Sequence, residues 1–337
     1  MALFKKKTTS DESYYMASQW TLMWRKLQKH KLAKFSLAVL AVLYITALFA
    51  DFFAPYGLEE FSSLYKNTAP TKVYWQDEEG NFSRPYVYGL KKVNDRKTFK
   101  VVITEDTSKK YYIDLFTEGV EYKLFGLIPC NTHLYGLVDE EGNVDRSARI
   151  NIFGADSTGA CIFSRILFGG RVSLTIPFVS AAISFVLGIL LGGISGYFGG
   201  IVDSILMRIV DVFCAVPWII MVTVVSLVFK RGLASIVIVI GCFGWMEISR
   251  LVRTETMAAK NREFVHYAEL IGVPKWKIMV LHILPSIFPV IITAATGAIA
   301  NAIMVESAMS FLGFGIQPPH ASWGVLLQEA CLLYTSD

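Results

Sequence analysis

The sequence predicts an α-helical polytopic membrane protein with a small β-rich insertion outside the bilayer. Three observations predict it. The 337 residues are 53% hydrophobic and only 18% charged, against about 25% charged in soluble domains. The charge deficit is uneven, with long uncharged runs between densely charged stretches, as expected of spans separated by aqueous segments. One interval, 56–150, is instead rich in Tyr, Lys, Asp and Glu and alternates with a period of two.

Residues 1–34 are polar and basic, with eight cationic side chains (Lys5, Lys6, Lys7, Arg25, Lys26, Lys29, Lys31, Lys34). Trp20, Met23, Trp24 and Leu27 share a helical face beside Arg25 and Lys26, which predicts a short interfacial helix. The first apolar run, 35–55, has no A-x-A-like cleavage site and is expected to stay as a first span. It carries Asp51 near its end and stops at Pro55 and Gly57. In 56–150 the segments KTFKVVITED and KKYYIDLF alternate, and Glu79-Gly80-Asn81 and Glu141-Gly142-Asn143 read as turns.

Four further spans are expected at 172–200, 212–229, 233–249 and 278–305, the last kinked or interrupted near Pro285 and Pro289. The uncharged run 307–328 reads as a re-entrant or surface-lying loop. Its Gly313-x-Gly315, Pro318-Pro319 and Ser322-Trp323-Gly324 break a helix repeatedly. The final CLLYTSD, 331–337, back-translates into a familiar transposon-type sequencing adapter, so these residues are expected to be a library artefact, with a sixth span missing. The permease core is taken as 151–330. Five spans with a cytoplasmic N-terminus put the basic loop 250–277 (Arg250, Arg253, Lys260, Arg262, Lys275, Lys277) inside. Lys230 and Arg231 then sit outside, a minor violation.

Several function classes drop out. A net charge of +4 is too small to suggest nucleic acid. Cysteine and histidine spacing fits no zinc site. Cys130 and Cys161 could pair in an oxidising compartment, though spacing alone does not bring them together. The sequence lacks a G-x4-GK[ST] phosphate loop, so ATP chemistry must come from elsewhere. His133 is the only histidine of the outer segment, which shows no triad or metal spacing. No cofactor is implied.

Polar residues in or near spans have local readings. Asp203 and Arg208 flank the inner turn after the second span. Asp211 is expected to pair with Arg208 or to cap the third span. Glu247 is expected to pair with Arg250 at i, i+3. Glu306 lies where the fifth span meets the outer loop and, with Asp211, is a candidate pore or gate residue. Gly188, Gly192, Gly193 and Gly196 recur at small-xxx-small spacing and predict close helix packing. His282, beside Pro285, reads as a packing or capping residue.

The most informative segment is 261–289. Phe264, Ala268 and Ile271 fall at i, i+4 and i+7. Gly272 suits a left-handed helix end and Pro274 prevents continuation. A short apolar-striped helix held between two spans suits docking in a partner's groove; an amphipathic linker lying on headgroups satisfies the same periodicity.

This segment resembles the EAA loop of ABC importer permeases, E-A-A-x3-G-x9-I-x-L-P. His266 and Tyr267 stand at the E-A positions, Ala268, Gly272, Leu284 and Pro285 match, and His282 stands at the Ile position. The stretches 153–174, 192–217, 244–265 and 306–324, with the FFAPYG that ends the first span, are similar to the C-type subunit of peptide/nickel permeases. One departure is Gly159-Ala160-Cys161, where that family has Gly-Arg-Asp. The resemblance implies a type I importer permease fold in a bacterial inner membrane. It also implies a coupling helix built on Phe264, His266, Tyr267, Ala268, Ile271 and Gly272. The partners it implies are a second homologous permease subunit, two ATPase subunits and an extracytoplasmic substrate-binding protein, with peptides, nickel chelates or other small solutes as cargo. The alternative is an ion-coupled secondary carrier using Asp211 or Glu306, which should show internal repeats; none is visible.

Overall fold

A computed structural model describes residues 19–76, 80–94, 101–124, 126–145, 148–229, 232–317 and 320–335. Lys5, Lys6, Lys7, Lys230, Arg231, Pro318 and Pro319 lie outside the described residues. The chain divides into two units, Met1–Leu48 and Phe49–Asp337.

The first unit holds α1, Gln19–Lys29, and α2, Lys31–Leu48. Met23 and Trp24 are exposed on α1, as an interfacial helix requires. Almost every side chain of α2 is exposed although the helix is apolar, a surface suited to lipid. The expected first span, 35–55, is not one helix. It ends at Leu48, and a short α3, Ala50–Phe53, follows in the second unit after the turn at Phe49.

In the second unit, β1 (Tyr74–Gln76), β2 (Phe82–Asn94), β3 (Val101–Leu124) and β4 (Ile128–Val138) form an antiparallel sheet in that order. The described part of the first alternating segment, 101–106, and the second, 109–116, belong to one 24-residue strand, β3; residues 97–100 lie outside the described residues. Its first part pairs with β2 (Tyr86 with Tyr112) and its second with β4 (Leu115 with Tyr135). Val87, Tyr111, Tyr135, Leu137, Ala148 and Ile150 make the sheet's own core, and Phe163 packs on it from the first turn of the next helix. Cys130 and Cys161 are both free thiols, so the disulfide does not form.

The helical layer begins with α4, Ile162–Phe198, whose 37 residues reach about 55 Å at 1.5 Å per residue. It exceeds the ~30 Å of a hydrocarbon core, so part of it stands outside. Next come α5, Gly200–Ala215, and α6, Trp218–Val228, bent by 86° at their junction. The straight third span expected at 212–229 is thereby corrected: Val216 precedes Pro217 and is extended at φ −85°, ψ 125°, as a residue before proline must be. Helices α7, Leu233–Phe243, and α8, Trp245–Lys260, run on from one another through Gly244, so the fourth apolar stretch reaches Lys260 rather than 249.

The short α9, Glu263–Leu270, precedes α10, Lys275–Lys277, a π-helical turn Ile278–Ile283 and α11, Leu284–Phe311. The α-helix is interrupted just before Pro285, as expected, by that wide turn, in which the Leu284 N–H donates to the Met279 carbonyl five residues back. Helix α11 continues through Pro289. Residues 312–322 are irregular or turn among those described, and α12 is Trp323–Thr335. Among the described residues four helical stretches are long and apolar enough to cross a membrane, or five if the bent pair counts as one.

The glycine stripe explains how α4 meets α8. A Cβ at Gly188 would fall 2.6 Å from Ile248, at Gly192 2.4 Å from the Ser249 carbonyl, and at Gly196 2.6 Å from that of Arg253. These three glycines let two backbones touch within this chain. Gly193 points elsewhere, with only Met279 Sδ at 3.7 Å.

Candidate functional site

The loop between α8 and α11 is built around α9. Val265 and Ala268 are buried and join Val252, Ala259, Tyr197, Ile278 and Ile283 in one apolar cluster. The helix ends in a Schellman motif: the N–H of Gly272 donates to the Glu269 carbonyl (3.0 Å) and that of Val273 to the Ala268 carbonyl (3.1 Å). Gly272 takes φ +78°, which favours glycine, and Pro274 follows. Val273 closes over the same cluster.

The outward face of α9 is apolar. Tyr267 is 67% exposed, Leu270 82% and Ile271 80%. Phe264 shares this side, and Trp276 is exposed just beyond the loop. The anticipated stripe of Phe264, Ala268 and Ile271 is therefore corrected in one member: Ala268 turns inward, and Leu270 takes its place beside Tyr267. At 100° per residue Ala268 lies on the edge of the arc, and a small side chain fits either side. Periodicity did not single out Leu270, although it follows Tyr267 at i+3.

Polar contacts brace the loop against the end of α4. Tyr197 is buried, and its hydroxyl lies 3.4 Å from Glu269 Oε1. Lys260 Nζ donates to the Tyr197 carbonyl at 2.7 Å and stands 5.3 Å from its ring. His266 Nδ1 is 3.9 Å from Glu269 Oε2 on the exposed surface.

The other polar residues differ from their local readings. Asp203 accepts from Arg253 through both carboxylate oxygens and from Ser195; Arg208 lines a shallow cavity of about 550 Å³ with Gly200, Ile201, Ser204, Ile205 and Ile209. Asp211 pairs with Arg250 at 2.6 Å rather than with Arg208, and Glu247 does not hold Arg250 as expected. Both correct partners come from a neighbouring helix, which sequence spacing does not reveal. Glu306 is fully buried and accepts from the Ser310 hydroxyl at 2.8 Å. Asp211 and Glu306 are thus not brought to one surface: the first is exposed, the second enclosed.

A second buried group was not foreseen. Arg165 Nη1 bonds both Asp156 and Glu329, and Nη2 reaches Glu329 Oε1 at 2.9 Å. Asp156 also accepts from the N–H of Thr158 (2.7 Å) and Ala160 (3.0 Å) and from the Thr158 hydroxyl. Burial alone would raise its pKa, but these hydrogen bonds and the guanidinium outweigh it and hold the carboxyl below its ordinary range. The Gly159-Ala160-Cys161 variation sits in this turn. Among the described residues no group of His, Cys, Asp and Glu could hold a metal ion.

Comparison with known proteins finds two family models. One, described as a binding-protein-dependent transport system inner membrane component, matches residues 188–336. The other, the N-terminal TM domain of oligopeptide transport permease C, matches residues 18–70. The dipeptide transport system permease protein DppC of Bacillus subtilis is 37% identical over 52% of this chain and 55% of its own length. The oligopeptide transport system permease protein OppC of Haemophilus influenzae is 36% identical over 53% of this chain and 58% of its own. The aligned part spans little more than half the length of these relatives. Among solved structures, a chain of the MetNI methionine ABC transporter in an inward-facing conformation matches at 19% identity and a TM-score of 0.42, covering 50% of this chain and 81% of that one.

Proposed function

We propose that this chain, which belongs to the inner-membrane permeases of binding-protein-dependent transport systems and within them to the oligopeptide C type, is one transmembrane subunit of a peptide importer. It forms half of a translocation pore with a second homologous permease. Two ATPase subunits on the cytoplasmic side drive it, and a substrate-binding protein delivers cargo on the other. Residues 1–34 lie in the cytoplasm, 56–150 form an extracytoplasmic insertion, and 151–330 are the permease core.

One observation carries the reading. Helix α9 is held from behind by Val265 and Ala268 while Phe264, Tyr267, Leu270 and Ile271 are left uncovered. Fully burying an apolar side chain of this size contributes about 1.5–3 kcal/mol, so this face has surface to offer a groove. His266 and Gly272 complete the proposed coupling element, the first as a polar rim and the second as its fixed end. Glu306 is proposed to shape the pore gate by holding the end of α11 to its own last turn. Asp211 is proposed to line the pore, paired with Arg250 in the state seen here.

The test is co-purification of the ATPase subunits with the wild-type chain and with Phe264→Asp, Ile271→Asp and Gly272→Arg. Each variant places charge on or beside the outward face without touching Val265 or Ala268. Loss of the ATPases from all three is expected. Retention at wild-type level would remove α9 from the coupling role.

A further inference from the structure

One residue of the sheet has an unusual backbone. Phe116 of β3 has φ +58°, the left-handed region that bulky side chains seldom adopt. Its side chain is 63% exposed, as is that of Leu115 beside it. Backbone outliers of this kind persist where surrounding structure imposes them, often for a use.

The surroundings suggest the use. The Phe116 ring lies 6.2 Å from that of Phe52, which lies 5.5 Å from Phe53. Both belong to α3, and their neighbour Asp51 pairs with Arg171 of α4 at 2.7 Å. That ion pair fixes the depth. Arg171 is the last charge before the uncharged run 172–200, whose 29 residues rise about 44 Å at 1.5 Å per residue and so match a bilayer together with its headgroup regions. The cluster of phenyl rings beside this ion pair therefore stands at the headgroup level. Asp114, 3.4 Å from Arg84, and the exposed Glu118 flank it on β3; these charges suit headgroups and hold the strand above the acyl chains.

We propose that Leu115 and Phe116 form a foot that seats the β-sheet in the headgroup region of the leaflet on its own side, with lipid rather than protein as the occupant. The proposal rests on the chain being membrane-embedded, and the test separates the two. The full chain, in nanodiscs of phosphatidylethanolamine and phosphatidylglycerol, carries p-benzoylphenylalanine in place of Phe116, of Phe82 or of Val186, one at a time. Phe82 is 87% exposed on β2, and Val186 is 59% exposed on the apolar stretch of α4. After irradiation, intact-peptide mass spectrometry counts lipid adducts. We expect adducts at position 116 comparable to those at 186 and several-fold above those at 82. Should the strained site reject the larger ring, position 115 is read instead. Adducts at 116 no more frequent than at 82, or adducts to a co-purified binding protein, overturn the foot while lipid adducts at 186 leave the membrane reading standing. No lipid adducts at 186 would end both.

Discussion

Replacing Arg165 with methionine should destabilise the core strongly. The Arg165 side chain is 7% exposed and faces the carboxylates of Asp156 and Glu329, whose side chains are 7% and 31% exposed. Arg165→Met keeps the volume of the stem and removes the cation. Breaking a buried ion pair from one side costs about 3–5 kcal/mol, because the remaining charge has no partner. Two features pull the value towards the lower end. Asp156 keeps its three hydrogen bonds from Thr158 and Ala160, and Glu329 is open enough to regain water. We therefore expect about 3 kcal/mol, or a fall in Tm on the order of 5–10 °C. Adding Glu329→Gln should recover about 1 kcal/mol by removing one unpaired charge. Thermal unfolding in nanodiscs, followed by tryptophan fluorescence, reads this. Trp323 is a local reporter, since its indole N–H donates to the Ile166 carbonyl at 3.1 Å on the turn of α4 that carries Arg165. An Arg165→Met protein that melts with the parent would refute the premise that this pair is shielded from water.

Three further outcomes follow from the same structure. Gly192→Ala should cost about 1–3 kcal/mol by forcing α4 off α8 at the Ser249 carbonyl, whereas Gly193→Ala should be neutral or slightly stabilising; chemical denaturation of both variants measures the contrast. Gly272→Ala meets no atom within 4 Å, so only its left-handed backbone opposes it, and a loss of about 1–2 kcal/mol is expected with ATPase association retained, unlike Gly272→Arg. The Asp156 carboxyl is held below its ordinary range, so its contribution is complete above the unfolded carboxylate value and is lost as pH falls through the lowered one; an acid melting series should show this loss in the parent and not in Asp156→Asn.

Uncharged runs were the legible part of this molecule, because the requirement that a span bury every backbone group leaves a compositional mark. They located α2, α4 and α11 but not their ends, since the first run stops as a helix at Leu48 rather than 55 and α4 begins at Ile162 rather than 172. They did not show the 86° bend at Val216-Pro217, since the apolar run continues through it and hydropathy carries no direction. Alternation located the sheet, yet cut β3 in two where 107–108 interrupt the pattern. Helical periodicity located α9 but placed Ala268 on the wrong side. Ion pairs fared worst. Asp203 with Arg253 and Asp211 with Arg250 lie 50 and 39 residues apart, and a sequence offers only neighbours at i+3 and i+4 as candidates. Arg165 escaped notice for the same reason: both its partners come from other segments.

The wide turn at Ile278–Ile283 has a mechanical consequence. Proline normally severs a helix because its ring crowds the carbonyl four residues earlier and its nitrogen has nothing to donate. Here the hydrogen bonding steps out to five residues just before Pro285, and the rod stays whole from Lys275 to Phe311. One unbroken helical stretch thus joins the loop that holds α9 to the turn where Glu306 is enclosed.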